Sequence, residues 1–68
     1  MKIAYPIIDL DVDFRFNGER GKITLERGTE VPVLTILRDS GGTLDFTTVD
    51  GGDEIECQRV PKKFIQLF

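Results

Sequence analysis

Sixty-eight residues allow one domain and no more. Nine basic against twelve acidic side chains leave a formal charge of −3, which argues against nucleic acid as a partner held by sequence-independent phosphate contacts. With no histidine and a single cysteine, Cys57, the chain lacks the commonest zinc ligand and general base and cannot close an internal disulfide.

No apolar run approaches the ~20 residues needed to span a bilayer as a helix, so no membrane role is expected. A lone thiol and no secretory-leader pattern lead to the expectation of a reducing, cytoplasmic compartment. A domain of this size buries only about 60% of the surface its unfolded chain exposes. Its single core is expected to supply roughly 3–5 kcal/mol.

In chain order, "KIAYPI" suits an extended segment, with Pro6 at a strand start or edge. "IDLDVDFRF" then alternates Ile8, Leu10, Val12, Phe14 and Phe16 with Asp9, Asp11, Asp13 and Arg15. That period of two predicts a half-buried strand with Ile8 through Phe16 inward. A helix would set Ile8 and Leu10 about 200° apart and would have no apolar face. "NGERG" supplies turn chemistry through Asn17, Gly18 and Gly21, and "KITLE" alternates again with Ile23 and Leu25 inward.

After a turn at Gly28, "VPVLTIL" is the richest apolar run and is expected to be the most buried strand. Its phase shifts between Val31/Val33 and Leu34/Ile36, and Pro32 cannot donate to a ladder, so a bulge or bend is expected there. "RDSGGT" is a loop. "LDFTTV" is a strand with Leu44 and Phe46 on one face and Asp45, Thr47 and Val49 on the other. "DGGD" predicts a hairpin turn. "EIECQRV" alternates Ile55 and Cys57 against Glu54, Glu56 and Gln58. "PKKF" fits one turn of 3₁₀ helix, and "IQLF" closes the chain.

Five to six short strands at 8–12-residue spacing, with no helical period, predict an all-β small barrel or sandwich over residues 1–68, with the barrel favoured. Closure is the economical way for so short a chain to hide its sheet edges.

The order of these features resembles the Src-homology-3 family. "KITLERGTEVPVL" is similar to that family's diverging turn, with Leu25, Gly28, Val31, Val33 and Leu34 at the comparable places. "RVPKKFIQLF" is similar to its ending, where a 3₁₀ turn precedes the last strand; Val60, Pro61, Phe64 and Ile65 align with it. "DVDFRFNGERGK", "LRDSGG" and "VDGGDE" fall where its RT, n-Src and distal loops would fall. The resemblance implies a small barrel, five- to six-stranded, with a 3₁₀ turn before the last strand. It does not carry over the family's grip on proline-rich peptides. "TLDF" stands where the paired Trp is expected, and "IIDLDVDF" has no Tyr.

Asp9, Asp11 and Asp13 superficially match the start of a calcium loop. Counting from Asp9, the required Gly is Phe14 and the required Glu is Arg20. Same-face residues of a strand lie about 6.5–7 Å apart, too far for three carboxylates to close on one ion at about 2.4 Å. The row is therefore a solvated face, neutralised by Arg15 and a neighbouring strand, or an acidic patch for a basic partner. Without histidine, Cys–His and Ser–His nucleophiles are excluded within one chain. Cys57 is expected in the core. Glycine pairs in "SGGT" and "DGGD" lack the helix and Lys of a phosphate loop.

The expected function is a non-enzymatic protein-interaction module or small accessory subunit, with no cofactor and no metal. Its surface would include the first hairpin, Asp9 to Gly21, with Asp9, Asp11, Asp13, Arg15 and Arg20, and the outer residues Asp45 and Phe64. The alternative is a small acidic inhibitor occupying the basic groove of a nucleic-acid-binding enzyme, as some phage-type proteins do. A third, weaker reading uses Arg15, Arg20, Lys22 and Arg27 to bind nucleic acid. Homo-oligomer formation is a further expectation, since "VPVLTIL" and Phe68 would leave apolar surface uncovered if a barrel closed poorly.

Overall fold

A computed structural model describes residues 2–68. The chain is all-β. In order it runs β1 (Lys2–Pro6), β2 (Leu10–Phe16), β3 (Glu19–Leu25), β4 (Val31–Val33), β5 (Thr35–Asp39), β6 (Thr43–Asp50), β7 (Asp53–Pro61), a 3₁₀ turn (Lys62–Phe64) and β8 (Ile65–Leu67). The eight segments exceed the expected five or six, because "VPVLTIL" is cut at Leu34 into β4 and β5 and "KIAYPI" forms a strand of its own, β1. They form two antiparallel sheets, ordered β4-β1-β8 and β3-β2-β7-β6-β5. The sheets do not close into a barrel, which corrects that expectation: the five-stranded sheet ends in two open edges, β3 and β5.

Local chemistry sets the hairpins. β2 and β3 are joined by Asn17 and Gly18 alone, between the paired residues Phe16 and Glu19. Both turn residues have positive φ, 49° and 79°, the primed geometry whose twist matches the flanking strands. Gly51 and Gly52, φ 60° and 88°, do the same between Asp50 and Asp53. L side chains rarely tolerate those angles, so Asn and Gly fix where each strand reverses.

The core collects the inward residues of both sheets. Leu10 and Val12 of β2, Leu25 of β3, Val31 and Val33 of β4, Leu44 and Phe46 of β6, and Ile55, Cys57 and Val60 of β7 are buried. Ala4 and Ile65 complete the cluster from the smaller sheet, with Phe14, Phe16, Ile23 and Phe64 half-buried at its rim. Alternation thus places β2, β6 and β7 as expected.

Two expectations fail. Ile8 is not part of the inward row: it lies in the bend before β2 and is 42% exposed. "VPVLTIL" is not uniformly buried either. Val31 and Val33 are buried, yet every residue of β5 is exposed. The chain bends at Leu34, whose backbone N–H donates to Thr47 O at 2.9 Å, so that β4 joins one sheet and β5 the other. The phase shift seen in the sequence is this bend, one residue beyond Val33.

Candidate interaction site

The outer face of the β2–β3 hairpin holds most of the candidate residues. Cross-strand register puts Asp11 opposite Thr24, Asp13 opposite Lys22 and Arg15 opposite Arg20. Thr24 Oγ1 donates to Asp11 at 2.6 Å, and Lys22 Nζ donates to Asp13 at 3.1 Å. Asp13 also accepts from the Arg59 guanidinium, reaching across from β7. These contacts, the Arg59 hydrogen bond first, hold the Asp13 carboxyl below the usual carboxylate range. Asp9 lies outside the strand. Its carboxylate accepts the backbone N–H of Arg27 at 2.8 Å and so pins the turn after β3.

The aspartates are therefore a series with separate partners. Spread along the strand, they do not converge, and among the described residues no group of three or more His, Cys, Asp or Glu side chains could hold a metal ion. Arg15 has a like charge directly opposite it on β3 and Glu56 opposite it on β7. Among the described residues it makes no ion pair, and nor does Arg20.

Asp45 does a backbone job. The β6–β7 register shifts between Leu44 and Phe46, leaving Arg59 with φ 56°. The Asp45 carboxylate accepts the Arg59 backbone N–H at 2.8 Å, supplying the partner that the bulge removes. Arg59 thus links Asp45 through its backbone and Asp13 through its side chain. It escapes a reading by sequence pattern, because an arginine in the left-handed region carries no local signal. Phe64 lies apart from this group. Its ring is half-buried against the core with Lys63 Nζ 4.9 Å from its centroid, and its carbonyl accepts from Ile7 N–H at 2.9 Å.

The apolar surface lies elsewhere. β5 is an edge strand, paired to β6 on one side only. Ile36 and Leu37 are 40% and 48% exposed, and Leu34 beside them is 39% exposed. Register slips between Ile36 and Arg38, so Leu37 is the extra residue of a bulge. Arg38 Nε donates to Ser40 Oγ at 2.7 Å, and Lys62 Nζ donates to Asp39 at 2.6 Å. That bond holds the Asp39 carboxyl below the usual range. A second apolar area is a shallow hollow of about 600 Å³ between Tyr5, Pro6, Ile7, Gly28, Gln66 and Phe68. There the Tyr5 and Phe68 rings meet edge to face with centroids 5.5 Å apart.

Cys57 is fully buried, and desolvation pushes its thiol up to about 11. A thiol so placed is a core side chain and a poor nucleophile. No helix among the described residues is long and apolar enough to cross a membrane. No family model matches the chain, and no curated protein and no solved structure is significantly similar to it.

Proposed function

We propose that the chain is a non-enzymatic protein-interaction module or small accessory subunit of Src-homology-3-like topology. The topology is supported by three features. A strand bent at Leu34 serves both sheets as β4 and β5, β1 lies between β4 and β8, and a 3₁₀ turn leads into β8. The functional reading rests on one observation above the others: β5 is an unpaired sheet edge on which Ile36 and Leu37 are exposed. Main-chain pairing to such an edge, with side chains adding specificity, is an established way for a small β domain to bind another protein.

The acidic-inhibitor reading has less support. Asp9, Asp11 and Asp13 already engage Arg27, Thr24, Lys22 and Arg59, so a basic partner would have to displace contacts within the chain. Catalysis is not part of the proposal, since the chain has no histidine and its one thiol is buried.

Light scattering after size exclusion, on the pure protein and on complexes captured from a lysate, tests the reading. Self-association or capture that depends on β5 side chains is the expected outcome. A strict monomer that retains no partner would end it.

A further inference from the structure

Four strands stand at sheet edges: β4 and β8 in the smaller sheet, β3 and β5 in the larger. Unpaired edges invite association, and proteins guard them with charge, proline, brevity or bulges. β4 carries Pro32 at its centre, and β8 is three residues long. β3 presents Glu19, Arg20 and Lys22. β5, with the sequence Thr-Ile-Leu-Arg-Asp, has no Pro, Gly or Lys, and Arg38 and Asp39 cancel in charge. Its guards are the bulge at Leu37 and the charged pair at its end, so the uncharged stretch is Thr35, Ile36 and Leu37.

We propose that a second copy of this chain docks on β5, the two β5 strands running antiparallel about a two-fold axis beside Leu37. The proposal rests on the interaction-module reading and names the partner. The occupant follows from self-complementarity, the condition for a two-fold interface. Centred on Leu37, the pairing sets Leu37 against its own copy, Ile36 against Arg38 of the second copy, and Thr35 against Asp39 of the second copy. No like charges stand opposite one another in this register. Asp39 keeps its Lys62 bond and takes Thr35 of the second copy as an added donor, and the chain already uses the Thr–Asp arrangement across strands, in Thr24 and Asp11 at 2.6 Å. The arginine stem covers the isoleucine while its guanidinium stays in water. The bulge interrupts the backbone ladder at Leu37, so the apolar side chains supply the centre of the contact and the flanks supply hydrogen bonds.

The contact is small. The molecule exposes 4421 Å², and a standard interface of about 800 Å² per partner would take close to a fifth of it. A five-residue strand, about 17 Å long, covers less. The dimer is accordingly weak, with a dissociation constant on the order of 0.1–1 mM.

Sedimentation equilibrium of the full chain, from about 10 μM to about 2 mM, reads this directly. The expected result is an average mass that climbs from monomer toward dimer in the wild type. In Leu37→Lys, association falls at least tenfold while the circular dichroism spectrum is unchanged. Thr35→Lys, on the same edge and remote from the core, gives the same loss if Leu37→Lys fails to fold. A wild type that stays monomeric at the top concentration overturns the proposal, as does a dimer that survives both substitutions. A monomeric wild type that still captures another protein through Leu37 removes the second copy and leaves the interaction module standing. A monomer with no Leu37-dependent capture removes both.

Discussion

The two edges of the five-stranded sheet, β3 and β5, meet the same solvent with opposite chemistry. β3 alternates strictly: Ile23 and Leu25 turn toward the core, while Lys22 and Thr24 turn out and bond to Asp13 and Asp11 of β2. β5 does not alternate: Ile36 and Leu37 are adjacent at the bulge, and both remain partly in water. The difference originates at Leu34. The bend there delivers Val31 and Val33 to the core and carries the following "TIL" past it. An edge that is tied down and charged is a finished surface. An edge whose central residues are apolar is the surface on which the proposed function rests.

The contrast exists only while the strands between the edges hold, so the largest effect is expected at Phe46. Its ring is fully buried, and it lies directly opposite Ile36 of β5. Phe46→Ala removes a core aromatic at a cost of about 3–5 kcal/mol, comparable to the roughly 3–5 kcal/mol a core of this size supplies. Thermal unfolding followed by circular dichroism is expected to show no cooperative transition above room temperature. A mutant with a near wild-type transition would mean that β5 and β6 do not depend on that ring.

A smaller effect is expected at the β3 edge. Gly21 pairs with Phe14, and a Cβ at Gly21 would come within 2.8 Å of Phe14 Cε1. The ring therefore covers the space that glycine leaves open. Gly21→Ala should cost about 1–3 kcal/mol through displacement of Phe14, read as a lower urea midpoint with an unchanged m-value. The comparable enlargement on β5, Thr35→Ile, which adds one heavy atom at an exposed position, should leave the midpoint unchanged. Equal losses at the two sites would erase the distinction between a packed edge and an open one.

How much of this was readable from the residues follows from what each depends on. The hairpins at Asn17-Gly18 and at Asp50–Asp53 were legible, because a two-residue reversal is settled by the φ its own residues accept, although Gly21, read as part of the first turn, lies within β3 opposite Phe14. Leu10, Val12, Ile55 and Cys57 were legible as core by their alternation, and the irregularity after Pro32 was visible as a change of phase. What followed from it was not. Alternation reports that a strand has an apolar side; it cannot report whether another layer covers that side, so "VPVLTIL" looked like the most buried strand when only Val31 and Val33 of it are buried. Ile8 and Asp9 continued the pattern of β2 without belonging to the strand, since the turn that claims Asp9 is made by Arg27, 18 residues on. Arg59 was invisible, because its backbone angle is secured by Asp45 from another strand.

Each edge also carries one acid-sensitive pin, and pH separates them. Asp13 is held below its ordinary value of 3.8 by Arg59 and Lys22, and Asp39 by Lys62. In both cases the unfolded chain takes up its proton first as pH falls, so acid favours unfolding. The stabilisation is complete above the ordinary value and disappears as pH drops through the lowered folded values, in the window below about pH 4. Urea titrations between pH 5 and 2 should show the midpoint falling in the wild type, with a shallower fall in Asp13→Asn and in Asp39→Asn. Amide exchange should then locate the first loss at β3 in one variant and at β5 in the other. Wild-type slopes in both variants would mean that neither pin contributes.

The smallest effect is expected where the sequence looked most suggestive. Asp9→Asn, Asp11→Asn and Asp13→Asn together remove three charges, yet at positions 9 and 11 the asparagine keeps a carbonyl oxygen for the one donor its aspartate now serves. The Arg27 N–H and the Thr24 hydroxyl lose nothing in kind, whereas Asp13 serves Lys22 and Arg59 with separate oxygens, so its asparagine keeps one of those contacts without charge assistance and loses the other. Above pH 5 the triple variant should unfold at a midpoint below the wild type's by no more than the part of the wild-type acid-induced fall that Asp13 carries. If the useful surface is β5, it should also self-associate and capture partners as the wild type does, with the same salt dependence. An acidic inhibitor would behave otherwise, losing its partner and its response to salt together. Wild-type binding by the triple variant, set beside lost binding in Leu37→Lys, would assign the aspartates to holding the hairpin and leave β5 as the surface that meets other molecules.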